Sequence, residues 1–463
     1  MPATSLTELS AQITGRVLTA SDPDWDATRQ VFNLRTDLRP AAMVLPRDAA
    51  DVVAAVRYAR ANGLRVAPQA TGHNAEPLGS LDDALLVDVR ELQEVSIDPG
   101  AHRVRVGAGV KWERVAPQLS EHGLAGLHGS SPDVGIAGYS LGGGMGWLAR
   151  KYGLQTNSVT AIELVTADGQ ARRVDATHEP DLFWALRGGN GNYGVVTAIE
   201  FAVYPVEDLY AGVMFFPFER ASEVLHTWAE LEPTLPDEIM SWASLLQFPD
   251  VPDVPEAVRG GSFTVVYAAF LGSEEDGREL LRPIRDLGPV MDTFAVVPPA
   301  ALGDMAMDPP DPLPVVSRGA LLGELPGSGV DALLAAAGPG TGSPLAMVQL
   351  RQLGGALGRR APGAGARATL PGTLSLFALG VPEDDAAAAT MNRYLDGLER
   401  AALPHRAGFY PNFVEEPADA SAFFDPDTWR RLREVKATYD PGDLFKGNHH
   451  IPPADELAAQ AVG

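Results

Sequence analysis

The chain has 463 residues, 45% hydrophobic and 21% charged, so its composition is that of a globular protein and not of a disordered or fibrous one. It contains no cysteine, which excludes disulfides, cysteine-held zinc or iron–sulfur centres and a thiol nucleophile. The formal net charge is −24, with four lysines (Lys111, Lys151, Lys436 and Lys446), and a field of that sign repels phosphate backbones and argues against nucleic acid as a partner.

Taken in chain order, the opening MPATSLTELSAQITG has neither a basic n-region nor an apolar core. No run of about 18 apolar residues follows, so a cytoplasmic protein with no membrane partner is expected. AAMVLP (41–46) reads as a strand, and RDAADVVAAVRYARANG (47–63) as a helix with Val52, Val53, Val56 and Ala59 on one face, Asp48 as its cap and Gly63 as its stop. With RVAPQ (65–69) these form a β-α-β unit, and ALLVDV and RVRVGAG add strands. IELVTADGQARRV (162–174) reads as a hairpin turning at Ala167-Asp168-Gly169, PDLFWALRGG as a short helix and YGVVTAIEFAVYPV as a long strand.

The texture changes near residue 207. From 208 to 400, strands (AGVMFFPF, SFTVVYAAFLG, LAMVQLRQLGG, TLSLFALGV) alternate with helices (ASEVLHTWAELEP, EEDGRELLRPIRDLG, DDAAAATMNRYLDGLERAAL), which suggests an antiparallel sheet covered by helices on one face. Residues 298–313 and 358–372 read as loops. After 401 come FYPNF as a possible strand, DTWRRLREVKATY as a helix and DPGDLF as a turn.

Three glycine-rich stretches precede residue 198: PQATGHNAEPLGS (68–80), HGSSPDVGIAGYSLGGGMG (128–146) and RGGNGNYGVVT (187–197). One such cluster is ordinarily a tight turn, but three separated by apolar strands suit a ligand approached by backbone N–H groups. None matches a P-loop, and no GxGxxG opens a helix near the start, which argues against a nicotinamide-binding Rossmann unit. His449 and His450 are adjacent and point apart in an extended segment, and there is no HExxH, so no metal site is expected.

These residues carry a resemblance. The chain resembles the FAD-linked oxidases of the berberine-bridge-enzyme-like group, within the vanillyl-alcohol-oxidase/PCMH flavoproteins, from Thr36 to Val206 and again from Phe409 to Pro453. TGH (71–73) resembles the motif whose histidine carries FAD through its 8α carbon. GSSPDVGIAGYSLGGGMGWLARKYGL and DLFWALRGGNGNYGVVT resemble the second and third flavin loops. YPNF resembles the Y-x-N motif, and YDPGDLFKGNHHIPP the terminal signature. The resemblance implies an α+β fold: a PCMH-type FAD-binding domain of two α/β subdomains (1–207), a substrate domain (208–400) and a C-terminal segment (401–463) returning to the first. It implies FAD as cofactor, with Thr71, Gly72, His73, Asn74, Gly79, Gly129, Ser130, Ser131, Val134, Gly135, Gly138, Tyr139, Gly142, Gly143, Gly144, Gly146, Gly194, Val195, Val196, Asn448 and His450 around it. Ser131 stands where many members have a second, cysteinyl attachment point, so here one bond through His73 is the limit. Val134 occupies the position of the family's oxygen gate, or is a plain packing valine.

Tyr410 and Asn412 share a face if FYPNF is a strand. A tyrosine with pKa ~10 must be tuned downward to serve as a base, and Arg351, which shares a strand face with Gln349, is a candidate for that tuning. The competing readings are a buried structural tyrosine and a salt-bridged surface arginine. The resemblance implies proton abstraction by Tyr410, hydride transfer to flavin N5 and reoxidation by O2 with release of H2O2. The substrate expected is a hydroxylated small molecule, with a secondary metabolite favoured over an oligosaccharide. A carbohydrate oxidase, an O2-independent dehydrogenase and a flavin-free binding protein are the alternatives, and the oligomeric state is left open.

Overall fold

The computed structural model describes residues 5–309 and 311–454. The chain first builds a four-stranded sheet in the order Arg16–Leu18, Ala42–Leu45, Ala84–Asp88, Arg65–Gln69. The last three strands are parallel, and helix Ala49–Ala61 makes the crossover. The local chemistry is as expected from sequence: the Asp48 carboxylate accepts from the Asp51 N–H at 2.9 Å, Val52, Val56 and Ala59 are buried, and Gly63 leaves the helix at φ +68°. A second, antiparallel sheet of five strands runs Val95–Asp98, Arg103–Gly107, Val195–Ala202, Val159–Val165, Ala171–Asp175. Val52, Val56, Ile162, Ile199 and Phe201 belong to one shared core, so the two sheets are fused around that helix.

The third sheet is antiparallel, with nine strands lying between residues 209 and 408. Its strands alternate faces with the expected period of two. On Ile239–Gln247, Ala243 and Leu245 meet the helices Ala221–Leu231, Gly327–Ala337 and Asp385–Ala402 through Val224, Trp228, Leu333 and Leu395. Met240, Trp242 and Leu246 point the other way, toward Met145, Trp147 and Leu148 of the long glycine-rich stretch. Trp147 stacks on Trp242 with ring centroids 3.5 Å apart, which ties the glycine loops to this sheet. Among the described residues no helix is long and apolar enough to cross a membrane.

Three differences from the sequence reading have physical causes. FYPNF is not a strand: the strand ends at Gly408, and Pro411, which has no N–H for a ladder, opens a single 3-10 turn over Pro411–Phe413. Ile239–Gln247 and Val316–Leu322 are strands that the reading passed over. The first is buried on both faces and carries Ser241 and Ser244 inside, so it shows no polar alternation. Helix Gly327–Ala337, also passed over, opens on GSG, a poor helix start by propensity.

Candidate active site

The first glycine-rich stretch places His73. Gly72 sits at φ +74°, and a Cβ there would come within 2.8 Å of the Val31 side chain, so this position requires glycine. The imidazole stacks on Phe32 at 4.1 Å, its Nδ1 lies 2.9 Å from Thr71 Oγ1 and its Nε2 lies 3.2 Å from Asp133 Oδ2. Asp133 is 4% exposed. Asn74 reaches the other end of the chain, donating from Nδ2 to the Pro411 carbonyl at 2.8 Å.

The second stretch meets the C-terminal segment at Tyr410, which is 2% exposed. Its phenol oxygen accepts the Gly144 N–H at 2.8 Å, the Met145 N–H at 3.0 Å and the Asn412 amide at 3.0 Å. The two residues converge because of the 3-10 turn, with Asn412 also donating to the Tyr139 carbonyl at 3.1 Å. Gly144 lies at φ +80°, and a Cβ there would come within 2.6 Å of Tyr139 and Gln155. The downward tuning expected from sequence is not found: burial pushes the Tyr410 phenol up to about 12, and the two amides and the Arg367 and Arg351 guanidiniums offset only part of that rise. A neutral phenol oxygen has two lone pairs, so a third donor favours the deprotonated form.

Arg351 lies on the face of Met347–Gln352 opposite the helices and is buried, not a salt-bridged surface residue. Its guanidinium lies over Trp242 at 3.9 Å and Phe413 at 4.9 Å, donates to Gln349, and reaches Ser130 Oγ at 3.3 Å. Burial lowers its pKa to about 10. Beside it, the Ser131 hydroxyl donates to Asp308 at 2.6 Å.

The other expected residues take different places. Gly135 abuts Thr71, Gly142 faces Asn412, Gly143 faces Tyr410 and Gly129 faces Tyr139, all within this junction. Gly146 packs on the His128 carbonyl, and Val134 is half-buried with its carbonyl accepting from Trp112 at 3.1 Å. Gly79 and Gly138 face open space, and Gly194, Val195 and Val196 lead into a sheet strand packed on Val165. Asn448 is half-buried, and His450 Nε2 lies 3.1 Å from Asp443. Sequence reasoning missed three residues. Asp133 was visible as an acid in the same short loop as Ser131. His449, 2% exposed, has its Nε2 3.2 Å from the Pro411 carbonyl and is lowered to about 4 by burial. Arg367, 4% exposed, was hidden in a segment that read only as a loop.

Buried polar atoms without partners test whether a cofactor fits. They include Asn74 Oδ1, both amide atoms of Gln155, Thr156 Oγ1, Arg367 Nε and Nη2, His449 Nδ1 and His450 Nδ1. Folded chains rarely leave such atoms unsatisfied. Most attach to one junction: Asn74 and His449 share the Pro411 carbonyl, while Gln155 and Thr156 donate their N–H groups to Gly144 and Gly143. A large ligand rich in donors and acceptors, as FAD is, fits that set.

Comparison with known proteins agrees. The FAD binding domain family matches residues 40–175. The chain is similar to the uncharacterized FAD-linked oxidoreductase YgaK of Bacillus subtilis (strain 168), 26% identical over 455 residues, covering 96% of this chain and 98% of that protein. The structure is similar to 6-hydroxy-D-nicotine oxidase from Arthrobacter nicotinovorans, with TM-score 0.83 and 26% identity over 97% of this chain and 100% of that one. It shares its fold with berberine bridge enzyme from Eschscholzia californica, with TM-score 0.79 and 20% identity over 96% and 98% of the two chains.

Proposed function

We propose that this chain, which belongs to the FAD-linked oxidoreductases of the berberine-bridge-enzyme-like group, is an oxidase of a hydroxylated small molecule with Tyr410 as its base. One observation carries the reading: the buried Tyr410 oxygen accepts three N–H donors and has two guanidiniums near it. That donor set offsets part of the burial penalty on a phenolate, whose small deprotonated fraction takes the proton from a substrate C–OH. Asn412 orients the phenol, and Arg351 favours its charged state from the sheet face opposite. FAD supplies two-electron acceptance and the return of those electrons to O2 as hydrogen peroxide.

In this reading the FAD-binding part is 1–207 with 401–463, and 208–400 forms the roof over the substrate. Thr71, His73 and Asn74 would hold the cofactor, and His73 would be its single covalent attachment. The absence of cysteine leaves no second one of the cysteinyl kind. A hydroxylated substrate follows from the need for an acidic O–H beside Tyr410, and the relative named for oxidising a hydroxylated nicotine supports it.

The test is a panel of hydroxylated metabolites against the purified yellow protein, with product and peroxide measured together. Stoichiometric peroxide is the expected result. Reoxidation by O2 slower than roughly 1 s⁻¹, below ordinary turnover, would make the protein a dehydrogenase. A chain that stays colourless with added FAD would make it a binding protein.

A further inference from the structure

Four arginines are buried among the described residues, and three have evident partners. Arg150 donates to the Ile239 and Leu235 carbonyls at 2.9 Å. Arg187 donates to the Phe183 and Gly363 carbonyls at 3.3 and 2.8 Å. Arg351 donates to Gln349 and Ser130. Arg367 is the exception: it is 4% exposed, and among the described residues its Nε and Nη2 have no acceptor and it forms no ion pair with a carboxylate.

The position of Arg367 is fixed. Its N–H donates to the Arg187 carbonyl at 3.0 Å, its own carbonyl accepts from Asn157 at 3.3 Å, and its guanidinium lies 4.7 Å from the centre of the Phe424 ring. The stem borders the same glycine as the proposed base. A Cβ on Gly143 would lie 3.5 Å from Arg367 Cγ and 3.0 Å from Tyr410 Cε2. Thr156 donates its backbone N–H to that glycine's carbonyl and Gln155 to that of the neighbouring Gly144, and the Gln155 amide and Thr156 hydroxyl are themselves unpartnered and buried. Phe424 cannot neutralise the cation, and His449 brings no negative charge. A guanidinium kept out of water without an acceptor is costly unless an anion arrives to meet it. Its planar fork matches two adjacent acceptors sharing one negative charge.

We propose that Arg367, assisted by Gln155 and Thr156, is a binding site for a planar anionic group delivered next to Tyr410. The group has two possible sources: a carboxylate on the substrate, or the pyrimidine edge of the flavin when it carries negative charge. The inference rests on the oxidase reading for its setting, but the guanidinium's need for an anion stands without it.

The test titrates the purified holoenzyme with benzoate, with benzamide as the neutral isostere, by calorimetry, and separately with sulfite, whose flavin adduct is read by bleaching near 450 nm and places negative charge on the ring. The variants are Arg367→Gln and Arg367→Lys, with near-UV circular dichroism as the check on folding. If the substrate is the source, benzoate affinity falls about tenfold or more in the Gln variant, recovers partly in Lys, and benzamide is unaffected. If the flavin is the source, sulfite affinity falls by a similar factor and benzoate affinity holds. A fall in both assigns both roles. Unchanged affinities for both probes in a folded Gln variant overturn the proposal. Should that variant not fold, a wild type that neither prefers benzoate to benzamide nor takes up sulfite overturns it too. A colourless protein that still binds benzoate through Arg367 would end the oxidase reading and leave this one intact.

Discussion

In the proposed function His73 and Tyr410 are the two reactive side chains of the junction, and their surroundings are built on opposite plans. His73 is one quarter exposed, lies flat on Phe32 and has a carboxylate, Asp133, at its far nitrogen. Tyr410 is almost fully buried and is met only by donors and cations. A carboxylate beside an imidazole nitrogen is an acceptor that can orient the ring. Donors favour negative charge on oxygen, which suits repeated proton abstraction. In the proposed function one side chain would react once, at attachment, and the other at every turnover.

The largest way to break this contrast is Tyr410→Phe. Loss of a positioned base costs 10²–10⁴ in rate as a rule, and we expect kcat to fall by about that factor with KM little changed and FAD retained. Equal losses in kcat and in flavin content would make Tyr410 a structural residue. The pH profile sharpens the same point. Burial holds the phenol up to about 12, so the active, deprotonated fraction increases with pH, and kcat/KM should climb without a plateau across pH 7–10. Arg351→Gln removes a cation that favours the charged form and should displace the climb upward by about one pH unit, lowering the rate at any fixed pH on it. A profile unmoved in that variant would leave Arg351 with packing against Trp242 and Phe413 as its whole role.

His449 sits between the two poles and is expected to respond to acid. Burial lowers it to about 4 from 6.5, so the folded chain refuses a proton that the unfolded chain accepts. Stability is therefore unaffected above pH 6.5 and is lost as the pH falls from there to about 4. At 1.4 kcal/mol per unit the loss approaches roughly 3 kcal/mol. In His449→Gln that slope should disappear from urea titrations run between pH 7 and pH 4. An unchanged slope would assign the acid sensitivity elsewhere.

How much of this was legible beforehand follows from the kind of signal each residue leaves. His73 lies between a glycine forced to positive φ and a polar run, and such a loop announces itself. Gln349 and Arg351 were readable because a strand's period of two puts alternate residues on one face, and that face is now seen opposite the glycine loops. The Tyr410–Asn412 contact was anticipated for a mistaken reason: a proline-initiated turn, not a strand, brings the side chains together. Arg367 left no local signal. Its loop is held by hydrogen bonds to Arg187 and Asn157, far away in sequence, and nothing in GARATLPG records them. Nor does SPDVG show that Asp133 reaches His73, a contact between separate loops.

The covalent attachment proposed at His73 is a smaller lever. In His73→Ala we expect flavin to leave with the supernatant after acid precipitation, where the wild type keeps its colour in the pellet; colour that stays in the variant's pellet would place the bond elsewhere. Asp133→Asn is the finest probe of the contrast between the two poles. It keeps the shape and removes the charge 3.2 Å from Nε2. Because the imidazole is partly open to solvent, the contact is screened and its effect is small. The expected result is flavin attachment a few-fold slower, followed on apoprotein mixed with FAD, with the final extent unchanged. The Tyr410 pH profile should not move at all, since donors and cations tune that group and Asp133 is not among them. A shift of that profile in Asp133→Asn would show that the two poles are electrostatically one site, and that the separate tuning of attachment and turnover argued from their surroundings does not hold.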